Sequence, residues 1–214
     1  MTIKEKEANE RRQGKSRLLQ KDELKRVIQF QESGRHPIRN IAILHLSFYC
    51  GLRVGEISKL VLKDLVNDSW ELKEEVVLKK EITKTKQTRA FYIVHKDIKV
   101  ALTKHIEERR KDITTNEVRG WKKKPLFVSQ KGDAFSPKSL QRVFKIMFEQ
   151  VGLDEMCSSH SGRRTFISNL ITQGIDMKSV STLAGHSNIQ TTMNTYATPN
   201  PQKMENVCRN LTIK

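Results

Sequence analysis

An α+β fold, mainly α-helical with one small antiparallel β-sheet, is what the sequence predicts, and three observations carry it. Apolar residues recur at helical spacing in separate stretches: Leu24, Val27 and Ile28; the run IRNIAILHLSFYC at 38–50; and Ile98, Val100, Leu102 and Ile106. One stretch, residues 70–94, changes to strand-forming composition, with Val76 and Val77 opening one strand and Ala90-Phe91-Tyr92-Ile93-Val94 forming another. Residues that start and stop helices stand at the borders: Ser33-Gly34, Gly51, Ser136-Pro137, Asp176 and Gly185.

Taken in order, residues 1–17 are almost all polar and read as a flexible basic arm, or as a tail with no role. A helix follows over 21–32. Pro37 suits the first turn of the 38–50 helix, whose apolar content marks it as central core, with His45 and Tyr49 packed inside it. Gly51 ends that helix, and 54–60 reads as a new one with Arg53 at its start. A cation there opposes the helix dipole, so the placement suits anion binding, with Glu56 one turn on to hold the guanidinium. The plain alternative is a surface ion pair. Residues 83–88 form the polar turn of the sheet and carry Lys84 and Lys86. A helix over 95–112, a basic loop over 114–124 and a short extended segment over 125–128 come next.

Ser136-Pro137 opens a helix that reaches residue 151. Its Lys138, Gln141, Arg142 and Lys145 form a face that meets either phosphates or water. His160 and Arg163 then fall at i and i+3. Gln173-Gly174 ends their helix, and Asp176 caps the next, which closes at Gly185. His186 sits just past that end, and a helix over 189–195 delivers Tyr196. Pro199 and Pro201 break the chain before a last amphipathic helix over 202–211, which docks in trans on a neighbouring copy or packs in cis.

Composition narrows the partners. The chain has 214 residues with 40 Lys+Arg against 24 Asp+Glu, a formal net charge of +16, which points to a polyanion, most simply nucleic acid. Three scattered cysteines, Cys50, Cys157 and Cys208, indicate neither a disulfide framework nor a zinc site and fit a reducing, cytoplasmic setting. The N-terminal residues do not read as a secretory signal, and no apolar run reaches the length of a membrane span. No carboxylate cluster suited to a metal is visible, and no cofactor is expected. Two histidines, a fixed arginine and a phenol on successive helix ends suggest phosphoryl transfer with tyrosine as nucleophile.

His160-x-x-Arg163, Leu183-Ala184-Gly185-His186 and Tyr196, with Gly51-Leu52-Arg53-Val54-Gly55-Glu56 upstream, resemble the catalytic boxes of the tyrosine recombinase (phage integrase) family over residues 18–196. The resemblance implies that family's catalytic-domain fold, with residues 18–198 as the catalytic domain and 199–214 as a C-terminal tail. It implies site-specific cutting and rejoining of double-stranded DNA with repeated half-sites, by a tetramer on DNA that is a monomer without it. Tyr196 would join the 3′-phosphate, Arg53 and Arg163 would bind the non-bridging oxygens, and His160 would be the base. His186 would hold the phosphate or a neighbour, and a hairpin lysine would be the general acid. Ile82-Thr83-Lys84-Thr85 fits that lysine best, with Lys86 as the alternative. Glu56 supports Arg53, while Lys86, Lys138, Arg142, Lys145 and Arg164 are expected to contact DNA.

The chain departs from the family pattern at Gly162, where leucine is common and a glycine is expected to loosen the helix start, and at Arg164, where a second histidine is frequent. About twenty residues precede the catalytic region, as in the short members, like the fimbrial inversion recombinases, or in an isolated catalytic fragment. A type IB topoisomerase-like nick-and-reseal enzyme and a non-catalytic DNA-binding regulator are the alternative functions.

Overall fold

Residues 37–50 are apolar nearly all round, and that decides the architecture. In the computed structural model, which describes residues 16–83, 87–113, 120–196 and 209 (the backbone alone for 194–196), they form a central helix. The elements in chain order are α1 (Lys21–Glu32), α2 (Pro37–Cys50), α3 (Val54–Ile57), α4 (Leu62–Leu65), β1 (Glu75–Leu78) and β2 (Arg89–Tyr92). They continue with α5 (Lys96–Lys111), α6 (Pro137–Glu149), α7 (Ser161–Thr172), α8 (Met177–Ala184) and α9 (Ile189–Tyr196). Helix α2 packs against α1, α5 and α7. Its Ala42, Ile43, Leu44 and Leu46 are fully buried, and each of the larger three stabilises the fold by about 1.5–3 kcal/mol relative to exposure. Pro37 takes the first helical position, and Gly51 closes the helix in the left-handed region at φ 62°. His45 is buried as expected, with Nδ1 3.1 Å from the Asp97 carbonyl.

Helix α6 shows the amphipathic pattern read from sequence. Leu140, Phe144, Met147 and Phe148 face the core, Lys138, Arg142 and Lys145 are exposed, and the Ser136 hydroxyl accepts the Ser139 N–H at 3.1 Å. The two strands pair antiparallel with Val76 opposite Phe91 and Leu78 opposite Arg89. Alternation puts all four of these side chains on the inner, buried face. Below the hairpin tip the Thr83 hydroxyl donates to the Gln87 carbonyl at 2.8 Å. Lys84 and Lys86, expected in the turn, lie outside the described residues, as does the tail over 199–214 apart from Arg209.

Several local expectations are corrected. The 54–60 helix is a single turn, α3, because the chain leaves helical geometry to pair with the segment after the basic loop. Leu126 N–H donates to the Leu60 carbonyl at 2.8 Å, and Leu62 N–H to that of Lys124 at 3.0 Å. Trp70 is not in a strand: its φ is 66°, and its ring stacks on Trp121 with centroids 4.2 Å apart. The basic loop therefore carries a core residue, with Trp121 buried. Ser16 and Arg17 do not belong to a free arm. Arg17 pairs with Glu23 at 2.7 Å and Asp154 at 3.0 Å, its N–H donates to the Met156 carbonyl at 2.9 Å, and Ser16 Oγ meets Ser158 Oγ at 2.6 Å. Gly162 does not loosen α7. It lets that helix lie directly on Ser47 and Phe48 of α2, where a Cβ would come within 2.3 Å of Ser47 Oγ.

Candidate active site

The site is assembled from helix ends, and the reason is electrostatic. The last carbonyls of a helix have no partner within it and carry the negative pole of its dipole, so cations gather there. The end of α8 supplies three such carbonyls in succession, Leu183, Ala184 and Gly185, and a different arginine reaches each. Arg89 Nη1 donates to Leu183 at 2.7 Å, and Arg163 Nη2 donates to Ala184. Arg53 Nη2 makes a long 3.5 Å contact with Gly185. Arg163 also donates to the Gly51 carbonyl at 2.7 Å, so one buried guanidinium ties the end of α2 to the end of α8.

Glu56 binds two of these arginines together. It is 1% exposed and accepts the Arg53 N–H at 2.9 Å, Arg53 Nη1 at 3.0 Å and Arg89 Nη2 at 2.7 Å. Burial alone would raise its carboxyl, but the charge and hydrogen bond of Arg89 and the Arg53 donors outweigh it and hold Glu56 below the usual carboxylate range. Three guanidiniums thus converge on one carboxylate and one helix end, leaving a net positive site suited to an anion.

His186 lies beside them. Gly185 turns the chain at φ 64°, and the His186 N–H caps α8 by donating to Ser181 at 3.0 Å. Its Nδ1 is 2.7 Å from the hydroxyl of Thr192, a fully buried residue of α9. Burial, and then the charges of Arg163, Arg53 and Arg89, push the imidazole down to about 4, so at neutral pH it is uncharged. With Nδ1 engaged, Nε2 is the nitrogen available to a substrate.

The structure brings together Arg53, Glu56, Arg163 and His186 of the residues expected from sequence. His160 is placed one turn before Arg163, exposed at the start of α7, with its carbonyl accepting the Arg164 N–H at 2.9 Å. Tyr196 is the last residue of α9, and its side chain lies outside the described part. Lys138 and Arg142 are exposed on α6, where Lys145 pairs with Glu149 at 3.5 Å. Arg164, expected to contact DNA, instead donates to the Ser16 carbonyl and holds the N-terminal segment on the body.

Arg89 and Thr192 were missed. Arg89 shares the inner face of β2 with Phe91, but a charge at the end of a short strand reads from sequence as solvent-facing. Thr192 left no mark either, since its partner becomes evident only in three dimensions. Among the described residues, no group of three His, Cys, Asp or Glu side chains gathers that would hold a metal ion. None of the helices among them is long and apolar enough to cross a membrane.

An arginine cradle on helix ends, carried by a mainly helical body with a two-stranded sheet, defines the class: this is the catalytic-domain fold of the tyrosine recombinases. Residues 17–203 match the Phage integrase family, and the chain belongs to it. The tyrosine recombinase XerC of Thermodesulfovibrio yellowstonii is 31% identical over 159 residues, which are 72% of this chain and 48% of that protein. XerD of Oceanobacillus iheyensis is 26% identical over 181 residues, 82% of this chain and 55% of that protein. The chain thus spans about half the length of these curated relatives. Among solved structures, the XerA recombinase superposes with a TM-score of 0.70 at 22% identity, covering 94% of this chain and 67% of that one. The Tn1549 transposon integrase in complex with a circular intermediate DNA gives 0.73 at 19% identity, covering 92% and 66%.

Proposed function

We propose that this protein is a site-specific DNA recombinase that cuts and rejoins duplex DNA through a 3′-phosphotyrosine intermediate. The observation that carries the reading is the convergence of Arg53 and Arg163 beside the neutral His186, one short helix before Tyr196. The two guanidiniums meet the non-bridging oxygens of a phosphodiester and stabilise the charge that builds there during attack. Tyr196 Oη forms a bond to phosphorus as the bond from phosphorus to the 5′-oxygen breaks. The phenol proton passes to His160, and Lys84 gives a proton to the leaving 5′-oxygen. His186 Nε2 hydrogen-bonds the phosphate, with Thr192 fixing its ring. The phosphotyrosine link retains the ester bond, so a 5′-hydroxyl from a second strand reverses the step without an energy source.

Relatives named XerC and XerD, and neighbours solved on DNA, support this reading. Repeated half-sites and a tetramer on DNA follow from it, as does a setting in the cytoplasm with access to DNA. The experiment is to incubate the protein with a pool of end-labelled random duplexes and run denaturing gels. Wild-type protein yields a covalent adduct, and Tyr196→Phe binds DNA without one. Adducts that persist in Tyr196→Phe would sink the assignment. Relaxation of plasmids irrespective of sequence would favour a topoisomerase, and binding with no adduct a regulator.

A further inference from the structure

Arg89 is a buried charge in direct contact with the site residues that the chemistry above does not use. It stands at the first position of β2, with its side chain only 4% exposed. One end of its guanidinium holds Glu56 at 2.7 Å, and the other holds the Leu183 carbonyl at 2.7 Å. Its stem runs beneath Gly185, so closely that a Cβ there would lie 2.2 Å from Arg89 Cδ. Residue 185 is thus the glycine that lets this side chain pass. Its Nε is buried without an acceptor, so the group is not placed for its own best hydrogen bonding. It is placed where Glu56 and the end of α8 can be held together.

These contacts join three separate pieces of chain. The hairpin of β1 and β2 carries Lys84, the turn before α3 carries Arg53, and the end of α8 leads into His186. Arg53 is tied to the same carboxylate by both its backbone N–H and its guanidinium, so a displacement of Glu56 displaces Arg53. We propose that Arg89 is a positioning residue for strand transfer, which fixes the lysine hairpin, Arg53 and His186 in one frame without touching the substrate. This rests on the recombinase reading above. A plain structural pair would not need an arginine here, because an apolar side chain of similar volume replaces a buried ion pair at little cost when both partners are removed. A frame for reacting groups does need it, since a misplacement of about 1 Å costs on the order of 100-fold in rate.

The test uses a duplex recovered from trapped wild-type adducts, made with either oxygen or sulfur at the 5′-bridging position of the cleaved phosphate. A sulfur leaving group departs without a proton, so it relieves the need for the hairpin lysine alone. Arg89→Ala should bind this duplex as wild type does and cleave the oxygen form about 100-fold more slowly. It should recover about tenfold on the sulfur form. Arg89→Lys, which keeps the charge and stem but not the two-ended grip, should fall between. Thermal unfolding separates misplacement from loss of fold. Folded variants that cleave at the wild-type rate overturn the proposal, as does an equal loss on both substrates. If neither variant folds, Arg89 is structural and the proposal is also overturned. A wild-type protein that forms no adduct overturns the recombinase reading and this proposal with it, whereas a normal wild-type adduct beside unaffected variants overturns this proposal alone.

Discussion

Gly162 sits at the point where the helix carrying Arg163 touches the core helix, and it tolerates nothing larger. A Cβ there would come 2.3 Å from Ser47 Oγ and 2.9 Å from Phe48 Cδ2, in a place with no solvent to yield. Gly→Ala inside a helix ordinarily gains up to about 1 kcal/mol, but overpacking of this kind costs roughly 1–3 kcal/mol. Gly162→Ala should therefore lower the urea midpoint, and Ser47→Gly in the same chain should restore part of the loss. Equal or higher stability of the single variant would show that the two helices separate freely. His105 gives a second test at this scale. It is 2% exposed, stacked on Phe127, with Nε2 2.9 Å from the Leu126 carbonyl. Burial pushes it down to about 4. The unfolded chain takes up a proton near ~6.5 and the folded chain does not. The stabilisation is therefore complete above that value and fades as pH falls toward 4, by up to on the order of 3 kcal/mol. Unfolding measured from pH 7 to 5 should show this loss, and His105→Gln should show less of it. A flat profile in the wild type would mean that His105 protonates inside the fold.

Elements place what residues cannot place alone. The segment 16–19 lies across α7: Leu19 N–H donates to Thr165 Oγ1 at 3.0 Å, and Arg17 reaches Glu23 and Asp154. Cutting after residue 15 should leave stability unchanged, while cutting after residue 17 should cost about 1–2 kcal/mol through the lost ion pairs and hydrogen bonds. Urea unfolding of the two truncations decides this, and equal stability would make the segment a passive tether. The sequence concealed this boundary because Ser16 and Arg17 look no different from the polar residues before them. It showed the larger elements plainly: the apolar 38–50 run, the Ser136 cap and the Asp176 to Gly185 helix stand where periodicity and capping put them. Arg53, Arg163 and His186 were legible because each stands at a helix end marked by glycine or by spacing. Arg89 was hidden because a charged residue in a short strand reads as solvent-facing. Only the register opposite Leu78 turns it inward. The single turn of α3 was hidden for a similar reason, since its end is decided by pairing with a segment some sixty residues away.

At the scale of the whole molecule the question is which of the charges act on DNA. The formal excess is +16, yet Arg53 and Arg163 are assigned to the one reacting phosphate, Arg89 is held by Glu56 and the Leu183 carbonyl, and Arg17 pairs with Glu23 and Asp154. Candidates for the backbone of a duplex include the exposed face of α6, with Lys138 and Arg142, and the charges of residues 1–15, beside exposed lysines elsewhere such as Lys59, Lys63, Lys104 and Lys178. Those fifteen residues contain Lys4, Lys6, Arg11, Arg12 and Lys15 against Glu5, Glu7 and Glu10. If the protein neutralises on the order of eight phosphates, log affinity should fall against log salt with a slope of about −7. Removing residues 1–15 should reduce that slope by about 2–4, because five cations leave together with three anions. Arg17 should not add to the change, since its ion pairs already hold it. The measurement is a salt titration of binding to a fixed duplex by the whole chain, by the truncation at residue 15, and by Lys138→Ala with Arg142→Ala. Equal slopes for the whole and truncated chains would show that the N-terminal charges stay clear of the DNA. A slope unaffected by the α6 substitutions would move the interface to another face of the body.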